Sequence, residues 1–179
     1  MRYIVSNDRI NQVGSLQRYF DDIDRRLSLL EGQKLPSLEP SVPNGIDEIV
    51  KRFGDPNGND FEFDNIFMLQ LGFAMPLSWS PNTKVSRFRC HKDLQKKFHS
   101  IFKTINPNLI VNFGGCYNYR TKRGNAGELS THSWGIAIDL NVHLPMPDEV
   151  VNAFKSEGFE WGGDWSKPDS MHFQYATGY

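Results

Sequence analysis

The chain has little cysteine, no long apolar run and almost no net charge, and each shortage removes a class of protein. Its 179 residues hold two cysteines, Cys90 and Cys116, too few for the disulfide framework of a small secreted domain. Neither has a partner at CxxC spacing, so a zinc–thiolate site is not expected, and both read as reduced, largely buried thiols. No apolar run approaches the roughly 18 residues of a membrane span, so stable membrane insertion is not expected. The start, Met1-Arg2-Tyr3-Ile4-Val5-Ser6-Asn7-Asp8, lacks the apolar core of a secretory signal, which predicts synthesis in the cytoplasm without a signal peptide. A formal charge of −1 is far from the basic excess that a nucleic-acid-binding domain shows. No internal repeat is visible.

What remains is enough chain for one cored domain with an appendage. Val13, Leu16, Phe20, Ile23, Leu27 and Leu30 recur in steps of three and four, the pattern of an amphipathic helix with a heptad-like seam. That helix either docks on its own domain or serves self-association. Prolines 36, 40 and 43 lack the N–H a helix needs, so 36–43 reads as a linker between an N-terminal helical segment, 1–35, and a domain at 44–179. Gly45–Phe53 reads as a helix ended by Gly54, followed by turn chemistry over 55–60. Residues 61–81 read as short strands and loops. Lys92–Ile105 reads as a helix burying Leu94, Phe98, Ile101, Phe102 and Ile105, with a solvated basic face. Leu109–Phe113, Trp134–Val142 and Ser170–Tyr175 are strand candidates, Gly124–Leu129 a loop, and Pro147–Lys155 a helix with Gly158 beyond its end. Strands gathered in the C-terminal half, with helices between, predict an α+β fold.

Chemistry concentrates in that half. Ser130-Thr131-His132-Ser133-Trp134-Gly135-Ile136-Ala137-Ile138-Asp139 is answered by Trp161-Gly162-Gly163-Asp164-Trp165 and by Asp169-Ser170-Met171-His172-Phe173. Two histidines and an aspartate beside apolar runs are a ligand set that a catalytic zinc prefers, with the fourth position left to water. Strand alternation puts Ala137, Asp139 and Asn141 on one face, and His172 and Gln174 together on another. Two neighbouring strands would thus offer Asp139 and His172 to one cleft, with His132 arriving from the preceding loop. A buried strand aspartate needs a partner, and a metal is a good one. Zinc suits imidazole plus carboxylate, though other divalent ions accept the same set. Regular strand geometry through residue 143 would put His143 on the Asp139 face too. His91 and His99 read as surface or supporting residues.

These three motifs, in this order, resemble the VanY-type D-Ala-D-Ala carboxypeptidase family of zinc peptidases, which also holds the L-alanyl-D-glutamate endopeptidases of phage endolysins. The resemblance covers roughly the last third of the chain. It implies a small antiparallel sheet with flanking helices, as in hedgehog and D,D-peptidase domains, with Zn2+ held by His132, Asp139 and His172 and no ligand at His143. It implies Asp169 as the general base and Arg120 as the group on the substrate carbonyl or carboxylate, with Arg123 close enough to be confused with it. Trp161, Asp164 and Trp165 would build the cleft wall and a turn, Asp164 holding backbone N–H groups or a ligand histidine, while Ser130 orients the loop of His132. Many relatives have Glu where Gln174 stands. The implied activity is hydrolysis of peptidoglycan stem peptides at the cell wall or periplasm, endolysin-like and reached after phage lysis release. The L-Ala–D-Glu bond is favoured, with D-alanyl-D-alanine carboxypeptidase as the alternative. A non-catalytic hedgehog-like zinc module and a virion-associated structural protein are further readings.

Overall fold

The computed structural model describes residues 41–179; the helix expected over Val13–Leu30 and residues 36–40 of the expected linker lie outside the described residues. The first helix among the described residues, α1 (Gly45–Phe53), carries Asp47 and Glu48 in its first turn and Lys51 and Arg52 in its last, which complements the helix dipole at both ends. It buries Ile49 and Phe53 and ends at Gly54, as its sequence predicts.

A short helix, α2 (Phe61–Asn65), leads into the longest pairing of the fold, β1 (Ile66–Leu77) against β2 (Ser80–His91). Short strands and loops were expected here. The pairing register explains why: β1 runs from Gln70 to Met75 while its partner goes only from Arg87 to Val85. That bulge breaks the alternation by which strands are recognised. Lys92–Leu94 forms a 3-10 turn that enters α3 (Gln95–Thr104), and the five apolar residues of the expected stripe are buried.

The next strand begins later than expected. Pro107–Leu109 is a 3-10 turn capped by the Asn106 side chain, so β3 is confined to Phe113–Gly115. Gly124–Leu129, expected to be a loop, instead supplies β5 (Asn125–Leu129), which pairs with β4 (Thr121–Lys122), and Lys122 Nζ lies 2.9 Å from Glu128 Oε2. Strand β6 covers only Ala137–Leu140, because a 3-10 turn at Thr131–Trp134 precedes it and Asn141, at φ 48°, ends it. Helix α4 (Asp148–Ser156), β7 (Glu160–Trp161) and β8 (His172–Gln174) complete the chain.

Six strands form one sheet in the order β2-β1-β3-β6-β8-β7, antiparallel except where β1 meets β3 at Leu77 and Phe113. The α+β architecture is the expected one. One face carries Ile138 paired with Phe173, and Phe173 stacks on Phe154 of α4 at 4.2 Å between centroids. Phe98 and Phe102 of α3 meet Phe88 at 5.4 and 5.8 Å in the same layer. The opposite face, over β6 and β8, is left for polar side chains.

Candidate metal centre

Three residues converge on that polar face. Asp139 on β6 stands directly opposite His172 on β8, so both side chains leave the sheet on one side. His132 comes from the 3-10 turn, whose capping residue, Ser130, accepts the His132 N–H on its hydroxyl at 3.4 Å. The turn closes at Gly135, at φ 67°; a Cβ there would lie 2.8 Å from His91 N and 2.9 Å from Ile66 Cδ1. Only glycine fits both the left-handed backbone and the close approach. Among the described residues, His132, Asp139 and His172 are the one His/Cys/Asp/Glu group so gathered, with ligand atoms all within 4.8 Å of one another.

The hydrogen bonds orient each ring. His132 Nδ1 lies 2.6 Å from the Cys116 carbonyl oxygen, and its Nε2 lies 3.2 Å from Asp139 Oδ1. His172 Nδ1 lies 2.9 Å from the same Oδ1, and its Nε2 lies 3.2 Å from Gln174 Oε1 and 3.4 Å from Thr131 Oγ1. Gln174 Nε2 donates to two acceptors, Glu160 Oε2 at 3.2 Å and Ala176 O at 3.3 Å, which fixes the amide with its oxygen toward His172. A carbonyl accepts only from an N–H. Each ring therefore spends its outer N–H on Cys116 or Gln174 and turns a lone pair inward in its neutral form.

Two imidazole lone pairs and a carboxylate oxygen facing one point repel unless a cation or protons sit among them. That donor set fits zinc, which takes histidine nitrogens and carboxylate oxygens and is commonly held by rings whose outer N–H is engaged. Burial pushes the Asp139 carboxyl up, but the hydrogen bonds that His132 and His172 donate to it when their inner nitrogens also carry protons outweigh it and hold the group well below the usual carboxylate range.

The other expected residues divide. Asp169 is half-buried on the cavity wall beside Asp139 and His172; its N–H donates to Gly162 O at 2.9 Å, and its carbonyl accepts from His172 N–H at 3.1 Å. Gly162 must be small, since a Cβ there would sit 2.5 Å from Asp169 O. The Trp165 ring packs 5.4 Å from His172. Trp161 ties down the turn through Nε1–H donated to Ser170 O at 2.8 Å. Asp164 departs from expectation: it holds no histidine but pairs with Lys155 Nζ at 2.6 Å on the exposed surface, because α4 brings a cation to that end of the turn. His91, at 1 % exposure, is buried rather than superficial, held by Phe53 O and the Asp93 N–H. His99 is exposed. His143 is exposed at φ 60°, beyond the end of β6, so the regular strand that would have aimed it at the cluster is absent.

Two cavities meet at the cluster. One, about 270 Å³, is lined by Asp139, His172, Asp169 and Trp165; the other, about 420 Å³, by His132, Asp139, Tyr117 and Trp79. Arg120 and Arg123 line both. The Ser133 hydroxyl donates to Arg120 O at 2.8 Å and accepts the Arg120 N–H at 3.0 Å, clamping this segment to the turn of His132. Residues 123–175 match the family model described as D-alanyl-D-alanine carboxypeptidase. Over this stretch the chain is similar to peptidases of that family. The matched segment contains His132, Asp139, Asp169 and His172, whereas Arg120 precedes it. Thr131, Glu160 and the Cys116 carbonyl were not anticipated. A backbone oxygen leaves no mark in a residue pattern, while the shared parity of His172 and Gln174 was the available signal for the third contact.

Proposed function

We propose that the chain is a zinc-dependent peptidase that hydrolyses the peptide stem of bacterial peptidoglycan, cutting between L-alanine and D-glutamate in the manner of an endolysin. The observation that carries this reading is the inward convergence of His132 Nε2, Asp139 Oδ1 and His172 Nδ1 within a peptidase-family segment. These three would hold the ion, leaving its remaining position open. Bound zinc supplies a Lewis acid and brings the pKa of water to near neutral.

The chain's own groups do the rest. The Asp169 carboxylate accepts the proton of the attacking water and returns it to the departing amine. Among the described residues no side chain pairs with that carboxylate, which leaves it available to water. The Arg120 guanidinium, fixed in charge and forked, holds a substrate carbonyl or carboxylate at the cavity wall. Trp165 narrows the cleft against His172 and excludes water. Space on both sides of the cluster supports an endopeptidase, because substrate must continue past the scissile bond in each direction. The likeness to D-alanyl-D-alanine carboxypeptidases favours a second reading, removal of terminal D-alanine. Action is at the cell wall, and no helix among the described residues is long and apolar enough to cross a membrane.

The test is mass spectrometry of purified peptidoglycan digested by zinc-loaded protein, with His132→Ala as control. New D-glutamate amino ends establish the endopeptidase, and free D-alanine alone establishes the carboxypeptidase. No product in the presence of one bound zinc refutes the hydrolase and leaves a zinc-binding module. Self-association through residues 13–30 is proposed beside it, and a mass measured in solution with and without residues 1–35 decides that point.

A further inference from the structure

We infer that Gln174 and Glu160 form a two-residue relay that positions His172, with the negative charge placed one residue farther from the ring than a direct His–carboxylate pair would place it. The inference rests on the metal-site reading above and deepens it. On the sheet, Gln174 stands opposite Glu160 of β7 and opposite Ala137 of β6. Asp139, His172, Gln174 and Glu160 therefore share one face, and the small Ala137 side chain leaves room for the amide.

The chain of contacts runs in one direction. His172 Nε2–H is shared between Gln174 Oε1 and Thr131 Oγ1, and the Thr131 hydroxyl donates to the same Oε1 at 3.1 Å. Gln174 then donates to Glu160 Oε2 and Ala176 O. Reversing the amide would face its NH2 to the His172 N–H and its oxygen to two acceptors, so the arrangement has one orientation. With Nε2 carrying the proton, Nδ1 is left to face Asp139 and the ion. Glutamate at position 174 would lack the N–H that now bonds Glu160 Oε2 and would set acceptor against acceptor there, breaking the link between the two strands. The glutamine at 174 and the glutamate at 160 are in this sense a matched pair. Both act through the His172 ring and are positioning residues.

The experiment measures zinc affinity by chelator competition and the His172 Nε2 proton by nitrogen-15 NMR, the latter on both metal-free and zinc-loaded protein. In the wild type, His172 Nε2 is expected to carry a proton protected from exchange in both forms. Gln174→Glu should lose about 10- to 100-fold in zinc affinity, the range for groups that orient a ligand histidine. Glu160→Gln alone should change it by less than about threefold, since its amide oxygen still accepts, and adding it to Gln174→Glu should recover most of the loss. Should Gln174→Glu fail to fold, Glu160→Leu is the second variant, with faster exchange of the Nε2 proton and weakened zinc binding expected. A His172 ring with no proton on Nε2, or a Gln174→Glu variant that binds zinc like the wild type, overturns the relay. A wild type that binds no zinc refutes the metal-site reading instead, while the metal-free NMR still decides how His172 is held.

Discussion

Replacing Gly162 by alanine separates the placement of the candidate base from the holding of the ion. The backbone at Gly162 is not in the left-handed region, so alanine brings no conformational strain of its own. Its Cβ, however, would stand 2.5 Å from Asp169 O and 3.3 Å from both the Asp169 carbonyl carbon and Cβ. Relief needs a displacement of roughly 1 Å toward ordinary contact, and a backbone oxygen cannot swing aside as a side chain does. Overpacking of this kind costs about 1–3 kcal/mol. A 1 Å error in the position of a proton-transfer group can cost about 100-fold in rate. Gly162→Ala should therefore stay folded well below its melting temperature, lose about 10- to 100-fold in kcat, and keep zinc affinity within about threefold, since all three ligand side chains lie elsewhere. Thermal unfolding, chelator competition and release of stem peptides measure the three quantities. A kcat within about twofold of the wild type, or activity that falls only in step with zinc occupancy, would deny Gly162 this part in placing Asp169.

Three further outcomes are expected. His91 is buried with Nδ1 accepting and Nε2 donating, and burial lowers its pKa below 6.5 despite the opposing pull of Asp93. Protons bind the unfolded chain more readily, so this contribution is whole above about pH 6.5 and is lost as pH falls toward the folded pKa; urea unfolding from pH 7.5 to 5 should show His91→Gln with a shallower decline. Burial pushes the Cys90 thiol up to about 12 and Cys116 well above its ordinary value, so both should resist alkylation at pH 8 in the native protein and react at once in denaturant, and rapid labelling of folded protein would contradict their burial. Phe154→Ala removes the ring stacked on Phe173 and should cost about 3–5 kcal/mol, read as a loss in unfolding free energy; a loss below 1 kcal/mol would deny that layer its place as the core.

The opposition of Asp139 and His172 was legible because β6 and β8 are regular over those residues, so alternation in the sequence became geometry without interruption. His132 was legible through its motif, since the turn that carries it is local. The long β1–β2 pairing was hidden by the bulge after Gln70 and by prolines 76 and 81 near the strand ends. Asp164 was misread for another reason: its partner, Lys155, belongs to a different element, and no local pattern reveals which cation a helix will deliver. The Cys116 carbonyl was beyond reach altogether, because any residue at that position would offer the same oxygen to His132.

The stretch that carries the family likeness cannot be lifted out as a module. Residues 123–175 hold all three inward-facing side chains, yet the oxygen that orients His132 belongs to Cys116. The backbone that packs against Gly135 belongs to His91 and Cys90, and the rings behind Phe154 belong to Phe98 and Phe102. Excised, the stretch would keep its recognisable letters and lose what aims them. Any graft of this chemistry onto another protein must carry the upstream hairpin and α3 along with it.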